Sequence, residues 1–292
     1  MNKPPKVLIT GATSGIGLEL TRRYLKLGCK LVILVRKKDL NRDIIQEFEQ
    51  NTQIELVELD LTQRLDDSNQ LEEDLGDALK DPVDIAILNA GIGLYGPLTS
   101  LSLEQIEQQF AVNTFAPFML TQFLLQLSVR PKKIIYIGSI VGKFATPLAS
   151  AYCASKFALE GMFDSLYLEA KSLGVQICKV RPGRFKTQFV DNLKWGEQTD
   201  QRFEVAMEEY KKKLRASGKF SRPLPVKMAS KLVQKSLKKK LPKEINFGLD
   251  SKLLIAFEIF WGPWLSRFFL DFAFFRSYRF DQVKKLLPKD RQ

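Results

Sequence analysis

The first 180 residues alternate short apolar runs with longer helix-forming stretches. Several runs are apolar at every position, which is typical of strands in a parallel sheet that helices cover on both faces. Six strands are predicted, at Lys6–Thr10, Lys30–Val35, Gln53–Leu59, Val83–Leu88, Lys132–Gly138 and Val175–Val180. Helices are predicted near residues 15–27, 39–50, 65–79, 102–127 and 150–173. Ser102 and Gln105 form a capping box at the start of the fourth helix. This alternation predicts an α/β protein with a doubly wound parallel sheet.

The pattern changes after residue 185. Residues 188–222 have the pattern of a polar, mobile helical insertion, 226–239 that of a basic amphipathic helix, and Glu244–Phe247 that of a last strand. An aromatic-rich extension follows, and no Gly/Ser linker, repeat or low-complexity segment separates these parts. We therefore expect one elaborated domain over 1–250, with a helical extension over 251–292.

Composition excludes several kinds of chemistry. The chain has no histidine, which rules out histidine general bases, Ser-His-Asp triads and histidine metal ligands, and we expect no metal site. Cys29, Cys153 and Cys178 are widely separated and show no metal-type pairing, so they suit reduced thiols in a reducing compartment. No charged-then-apolar signal segment begins the chain, so we expect a cytoplasmic protein.

A glycine-rich segment, Thr10–Gly17, follows the first predicted strand and opens the first helix. In that position glycines let the backbone approach a pyrophosphate, and the helix N-terminus offers free N–H groups. Gly91–Gly96 has a similar spacing, but no helix starts at its glycines, so we interpret it as a flexible loop beside the cofactor. Arg36 stands at the end of the second strand, where a carboxylate would bind the ribose of NAD. Because Arg36 can instead pair with a 2′-phosphate, NADP(H) is the expected cofactor.

Tyr152 and Lys156 lie four residues apart in a helix-forming run, with Ser139 thirteen residues before Tyr152. The spacing puts both side chains on one face of the helix. A free tyrosine keeps its proton up to about pH 10, and a neighbouring ammonium lowers that pKa. Tyr152 is therefore a candidate for proton transfer in carbonyl/alcohol redox chemistry.

These motifs occur in the order and spacing of the short-chain dehydrogenases/reductases, a family that the chain resembles over residues 4–190. The resemblance implies a Rossmann-type sheet of about seven strands, with helices on both faces. Leu88 and Gly138 depart from the usual residues, but neither removes a group that the reaction needs. The motifs resemble most the 17-beta-hydroxysteroid and retinol dehydrogenase branch. The extension is similar to that of 3-ketosphinganine reductases, which carry C-terminal membrane-contacting helices.

The resemblance also implies a role for each matching residue. Asn113 would bend the fourth helix and help hold a proton-relay water, Ser139 would hydrogen-bond the substrate oxygen, and Tyr152 would exchange the proton with it. Lys156 would bind the nicotinamide ribose and lower the pKa of Tyr152. Asp60 would contact the adenine, and Thr187 would lie along the nicotinamide amide. The full cofactor set comprises Gly11, Thr13, Ser14, Gly15, Ile16, Gly17, Arg36, Asp60, Leu61, Asn89, Ala90, Gly91, Tyr152, Lys156, Pro182, Gly183 and Thr187.

The net charge of +12 is concentrated just before the extension. Between Arg202 and Lys243, fourteen Lys/Arg residues stand against three Glu, a balance of +11. Such a patch suits nucleic acid, an anionic membrane surface or a solvated face. No base-stacking module or recognition helix accompanies the charge, so nucleic acid is not an expected partner.

The aromatic extension is interrupted too often to form one bilayer span. Three charged residues lie within its apolar run and Gly262-Pro263 divides it, whereas a span needs about 20 mostly apolar residues. Two short amphipathic helices fit better, with Trp261 and Trp264 suited to an interface. The extension then either contacts an anionic membrane peripherally, or packs over the substrate cleft or in a subunit interface. All these alternatives favour a bulky apolar substrate, because the insertion and the extension can roof the pocket.

We therefore expect an NADP(H)-dependent oxidoreductase that interconverts a lipophilic ketone and a secondary alcohol, with steroid, retinoid and sphingoid compounds as candidate substrates. A homo-oligomer, dimeric or tetrameric, is expected from the family alone. The alternative is a non-catalytic, NADP-sensing or membrane-associated binding protein on the same fold.

Overall fold

A computed structural model describes residues 3–36, 42–63, 68–183, 189–198, 200–217, 225–248, 251–260, 262 and 268. Seven parallel strands form its main sheet, namely β1 (Lys6–Thr10), β2 (Lys30–Val35), β3 (Ile54–Glu58), β4 (Ile85–Leu88), β6 (Lys133–Ile137), β7 (Gln176–Pro182) and β9 (Glu244–Phe247). Their order in the sheet is β3-β2-β1-β4-β6-β7-β9, which confirms the predicted fold class. A second, two-stranded sheet pairs β5 (Leu94–Tyr95) with β8 (Lys194–Trp195).

Strand order reverses beside β1. The chain runs outward through β2 and β3 on one side, and through β4, β6, β7 and β9 on the other. Val7 pairs with Leu31 of β2 and with Ile85 of β4, so β1 lies at the point of reversal. In a doubly wound sheet, ligands bind in the crevice at the carboxyl ends of the strands there. The fold thus puts a cleft between the loops that follow β1 and β4.

Helices cover both faces of the sheet. They are α1 (Gly15–Lys26), α2 (Arg42–Glu49), α3 (Ser68–Leu79), α4 (Leu103–Phe110), α5 (Ala116–Gln126), α6 (Ser150–Ser172), α7 (Glu204–Ser217) and α8 (Pro225–Ser236). Strand residues alternate between two apolar cores. One core packs side chains such as Ile9 against α1, α2 and α8, and the other packs side chains such as Leu8 against α3, α5 and α6. All five β1 residues are buried, as expected for a strand that helices cover on both faces.

The single helix predicted over 102–127 is two helices with a wider turn between them. The capping box at Ser102 and Gln105 is confirmed, and α4 begins directly after it. Residues Ala111–Phe115 then form a π-helical turn that joins α4 to α5. A π-turn inserts one extra residue per turn, and such turns are frequent at functional sites. Asn113 lies in the middle of this turn.

The insertion and the extension close over the cleft end of the sheet. Pairing of β5 with β8 brings residues 194–195 of the insertion onto the loop after β4. This pairing was not predicted, and it gives the Gly91–Gly96 segment strand structure where we predicted a flexible loop. Residues 251–260 are helical, as predicted for the first part of the extension, and only residues 262 and 268 are described beyond them. No helix within the described ranges is long and apolar enough to cross a membrane.

Candidate active site

The loop after β1 has the shape of a phosphate cradle. Gly11 has a φ of +64°, and a Cβ atom on it would lie 2.8 Å from the Cα atom of Ala90. Helix α1 begins at Gly15, and Ser14 at its N-cap makes no side-chain capping hydrogen bond. The first-turn N–H groups are therefore left to another acceptor, such as a phosphate. A Cβ atom on Gly17 would lie 2.0 Å from the Gly11 carbonyl oxygen, so Gly17 serves the close packing of helix on loop.

Asn89 and Thr10 fasten this loop to the end of β4. The Nδ2 atom of Asn89 donates to the carbonyl oxygens of Thr10 and Gly11, at 3.1 and 2.9 Å. The Oγ1 atom of Thr10 accepts from the N–H groups of Asn89 and Ala90, both at 2.9 Å. The Asn89 side chain thus holds the glycine loop in place against the end of β4.

Arg36 and Leu61 line the far end of the cleft. Arg36 follows β2 and is exposed, so its guanidinium is accessible to an anionic group. The Asp60 carboxylate accepts hydrogen bonds from the N–H and Oγ1 groups of Thr62, at 2.9 and 2.8 Å. This pairing turns Asp60 inward to its own loop, while Leu61 and Thr62 line the cleft.

Tyr152 and Ser139 meet at the other end of the cleft. The Ser139 side chain lies beside the Tyr152 hydroxyl, and its Oγ atom accepts from the Val141 N–H at 3.3 Å. Tyr152 is only 6% exposed, and burial raises its pKa to about 12 against the opposing effect of Ser139. The predicted lowering of this pKa is wrong for this structure, because burial removes the phenolate from water and disfavours it by more than the Ser139 side chain favours it. Tyr152 is therefore protonated at neutral pH.

Lys156 lies one helical turn from Tyr152 and lines the same cleft. Its Nζ atom donates to the Ile137 carbonyl oxygen at 3.4 Å, at the end of β6. Burial lowers the pKa of Lys156 to about 8, although the Glu160 carboxylate pulls it upward. The ammonium form still dominates at neutral pH.

Asn113, in the π-helical turn, holds the loop after β4 through side-chain hydrogen bonds that we call the amide brace. Its Oδ1 atom accepts from the Ile92 N–H at 2.9 Å, and its Nδ2 atom donates to the Ile92 carbonyl oxygen at 3.0 Å. The Nδ2 atom also donates to the Ser155 Oγ atom at 3.1 Å. Asn113 is fully buried and does not line the cleft, so its side chain acts through its neighbours.

Gln109 and Ser155 extend this brace, and neither was predicted from the sequence. The Gln109 Oε1 atom accepts from the Leu94 N–H at 2.7 Å, and its Nε2 atom donates to the Ile92 carbonyl oxygen at 2.9 Å. The Ser155 hydroxyl donates to the Tyr152 carbonyl oxygen at 2.8 Å, which ties the brace to the turn of α6 that carries Tyr152. The available signal was spacing: Gln109 and Asn113 lie four residues apart, on one face of a helix.

These residues surround one cavity of about 750 Å³. Its glycine-loop end is polar and its Tyr152 end is apolar and aromatic. Tyr95 and Phe189 flank the Tyr152 ring, each with a centroid distance of 5.6 Å. The Cys153 side chain is buried and free, and burial raises its thiol pKa. Side chains from the insertion and the extension complete the apolar end, namely Phe189, Val190, Leu193, Tyr210, Leu214 and Leu254.

Most of the residues predicted for the site line this cavity. The exceptions within the described ranges are Gly17, Asp60 and Asn113, which lie behind its wall, and Thr187 lies outside those ranges. The lining residues are Gly11, Thr13, Ser14, Gly15, Ile16, Arg36, Leu61, Asn89, Ala90, Gly91, Ser139, Tyr152, Lys156, Pro182 and Gly183.

Known proteins share both this fold and this sequence pattern. A solved structure, a short-chain dehydrogenase from Streptomyces avermitilis, superimposes with a TM-score of 0.71 at 21% identity, covering 89% of this chain and 97% of that one. The chain is 33% identical to the probable short-chain type dehydrogenase/reductase VdlC of Helicobacter pylori, over 90% of this chain and 95% of VdlC.

Two further relatives have more specific names. The NADPH-dependent 3-dehydrocapnine reductase of Ornithobacterium rhinotracheale is 33% identical, over 65% of this chain and 68% of its own. The 3-ketodihydrosphingosine reductase of Bacteroides thetaiotaomicron is 31% identical, over 70% of this chain and 72% of its own. The family model for short chain dehydrogenases matches residues 5–198. The chain therefore belongs to the short-chain dehydrogenase/reductase family of oxidoreductases, which act on CH–OH and C=O groups.

Proposed function

We propose that this protein is an NADPH-dependent reductase of a lipophilic ketone, working from a site at the cleft end of β1, β4 and β6. The observation that carries the proposal is the single cavity that joins three features. It holds the glycine loop and Arg36 at one end, Ser139 with Tyr152 and Lys156 in the middle, and an aromatic pocket at the other end.

The residues around the glycine loop fit a nicotinamide dinucleotide. The close approach of Gly11 to Ala90 and the uncapped start of α1 suit a pyrophosphate. Arg36 offers a planar pair of donors for the 2′-phosphate that distinguishes NADP from NAD. When bound, the cofactor supplies the hydride that reduces the carbonyl carbon. One relative, the 3-dehydrocapnine reductase, is named as NADPH-dependent, which supports the same choice.

The protein's own groups would handle the proton and the carbonyl oxygen. Tyr152 is held protonated by burial, so it can donate its proton to the oxygen as the C=O bond becomes CH–OH. Ser139, whose side chain lies beside the Tyr152 hydroxyl, can hold the same oxygen in place. The Lys156 ammonium would stabilise the phenolate that Tyr152 becomes. A tyrosine that begins the cycle protonated is in the form that reduction requires.

The aromatic end of the cavity supports a bulky apolar substrate. Tyr95, Phe189 and Tyr210 form a ring cluster beside the Tyr152 side chain, with Leu193 and Leu254 adding aliphatic surface. Burying apolar surface contributes about 25 cal/mol per Å², so such walls bind a hydrocarbon substrate by exclusion of water. Two relatives are named as reductases of 3-dehydrocapnine and 3-ketodihydrosphingosine, which makes a long-chain ketone our proposed substrate class.

We further propose that the protein forms a homo-oligomer in the cytoplasm. Phe118 on α5 and Leu168 on α6 leave apolar surface exposed, 40% and 69% of each residue, which supports association of copies through these helices. Light scattering after size-exclusion chromatography tests this, and Leu168→Asp should shift the mass toward the monomer. A monomeric wild type would contradict it.

A substrate panel tests the proposed reaction. Purified protein is mixed with NADPH or NADH and with steroid, retinoid, sphingoid and long-chain acyl ketones, and both cofactor oxidation and cofactor affinity are measured. We expect turnover of at least one long-chain ketone with NADPH, and weaker binding of NADH. Tight NADPH binding without turnover on any ketone would instead indicate an NADP-sensing binding protein.

A further inference from the structure

The helical segment 251–260 has two faces with different surroundings. Ser251 is fully buried, and its hydroxyl donates to the Arg181 carbonyl oxygen at 3.2 Å, near the end of β7. Leu254 lines the cleft, and the Glu258 carboxylate forms an ion pair with Lys143 at 2.9 Å. Positions 251, 254 and 258 recur at helical spacing, so one face is anchored on the protein.

The opposite face is apolar and open to solvent. Leu253 is 66%, Ile259 75% and Phe260 85% exposed, although a bulky apolar side chain gains most from burial. Single exposed apolar residues are normal on a protein surface, whereas three on one short segment form an apolar patch. The anchored inner face holds this apolar surface in one orientation beside the mouth of the cleft.

Positive charge adjoins this apolar face. Lys252 lies seven residues before Ile259, two helical turns away on the same side, and both are exposed. Lys252 also shares a surface depression of about 480 Å³ with Lys231 and Lys235 of α8. The same depression contains one carboxylate, Glu244, which already pairs with Arg181 at 2.8 Å. The apolar face is thus flanked by cations whose net charge complements an anionic surface.

We propose that the outer face of helix 251–260 docks on an anionic lipid bilayer, with Leu253, Ile259 and Phe260 in the acyl boundary and Lys231, Lys235 and Lys252 at the headgroups. An apolar face bordered by lysines is the pattern of an interfacial helix rather than of a spanning one. We assign the face to a bilayer rather than to a protein partner because an apolar strip bordered by lysines matches the acyl and headgroup layers of an anionic membrane.

The docked helix would also connect the bilayer to the cleft. Leu254 lines the cavity from the inner face, so a lipophilic ketone leaving the bilayer would enter at the aromatic end of the cavity. This step rests on the proposed function, whereas docking itself does not. Vesicle binding is measured without turnover, so the two can fail separately.

Vesicle co-sedimentation tests the docking. The full-length protein is mixed with phosphatidylcholine vesicles with and without phosphatidylglycerol, and the bound fraction is measured. We expect binding to the anionic vesicles that falls steeply between about 0.1 M and about 1 M salt, as screening shortens from about 10 to about 3 Å. Ile259→Asp/Phe260→Asp should lower the partition coefficient at least about tenfold, and Lys252→Glu by about fivefold or more.

A matched control separates this face from general apolar exposure. Leu27 and Val129, 49% and 60% exposed, lie before β2 and β6, at the opposite end of the parallel sheet. The variant Leu27→Asp/Val129→Asp should bind vesicles like the wild type. Equal binding of both double variants to anionic vesicles, or no binding by the wild type, would overturn the proposal. So would a change from oligomer to monomer caused by Ile259→Asp/Phe260→Asp, because that would assign the face to a second copy of the chain.

Discussion

Replacing Gln109 with leucine tests whether the amide brace behind the active site has the role we assign to it. The variant keeps the volume of the side chain and removes its three hydrogen bonds, to Leu94, Ile92 and Ser155. The Ile92 carbonyl oxygen and the Ser155 hydroxyl keep Asn113 as a partner, at 3.0 and 3.1 Å. The buried Leu94 N–H loses its acceptor, which costs about 1–3 kcal/mol of folding free energy.

The expected loss corresponds to a melting temperature lower by about 2–10 °C, measured by thermal unfolding. Because Ile92 and Gly93 line the cleft, kcat should also fall, by about tenfold, with NADPH affinity nearly unchanged. The control is Gln108→Leu, which removes surface hydrogen bonds to Glu104 and Lys194 and should change stability by less than about 0.5 kcal/mol. If both variants melt and turn over alike, Gln109 does not position the site.

Three further predictions follow from the cofactor cradle and from Lys156. Arg36→Asp should weaken NADPH binding about a hundredfold relative to NADH, since it replaces a charge-assisted pair with repulsion, and equal losses for the two cofactors would refute the assignment. Gly17→Ala should abolish NADPH binding because its Cβ would meet the Gly11 carbonyl oxygen. The control is Gly76→Ala in α3, where an added Cβ has no atom within 4 Å. This control should bind NADPH normally and gain about 0.5–1 kcal/mol of folding stability. The folded-state pKa of Lys156 is depressed from 10.5 to about 8, so the unfolded chain binds more protons between those values and stability should rise with pH across that window. Lys156→Met should therefore be more stable than wild type at pH 7, by up to about 3 kcal/mol, and this advantage should shrink toward pH 10 in chemical unfolding. A difference that does not change with pH would show that Lys156 titrates normally.

Much of the fold could be predicted because its signals are local. An apolar run such as Lys6–Thr10 followed by a glycine loop specifies a buried strand, a tight turn and a helix start within twelve residues. The capping box at Ser102 is equally local, and it was confirmed where predicted. The family resemblance then added roles for residues, including Ser139 and Tyr152, which the structure brings into one cleft.

Features that depend on contacts between distant segments could not be predicted in the same way. Gln109 meets Leu94 and Ser155 across 15 and 46 residues, and its four-residue spacing from Asn113 does not reveal those contacts. The pairing of β5 with β8 rests on two residues in each strand, which is too short for a periodic signal. The predicted direction of the Tyr152 pKa shift was wrong because burial, which spacing does not report, raises this pKa by more than Ser139 lowers it.

The most direct test of the central claim is the rate of NADPH oxidation by Tyr152→Phe with the best ketone of the panel. The substitution removes only the hydroxyl that would donate the proton, so we expect turnover to fall at least about a hundredfold while NADPH still binds. Tyr167→Phe, on the same helix but outside the cleft, serves as the control and should turn over like the wild type. Turnover by Tyr152→Phe at the rate of the control would contradict the claim that this tyrosine carries the proton.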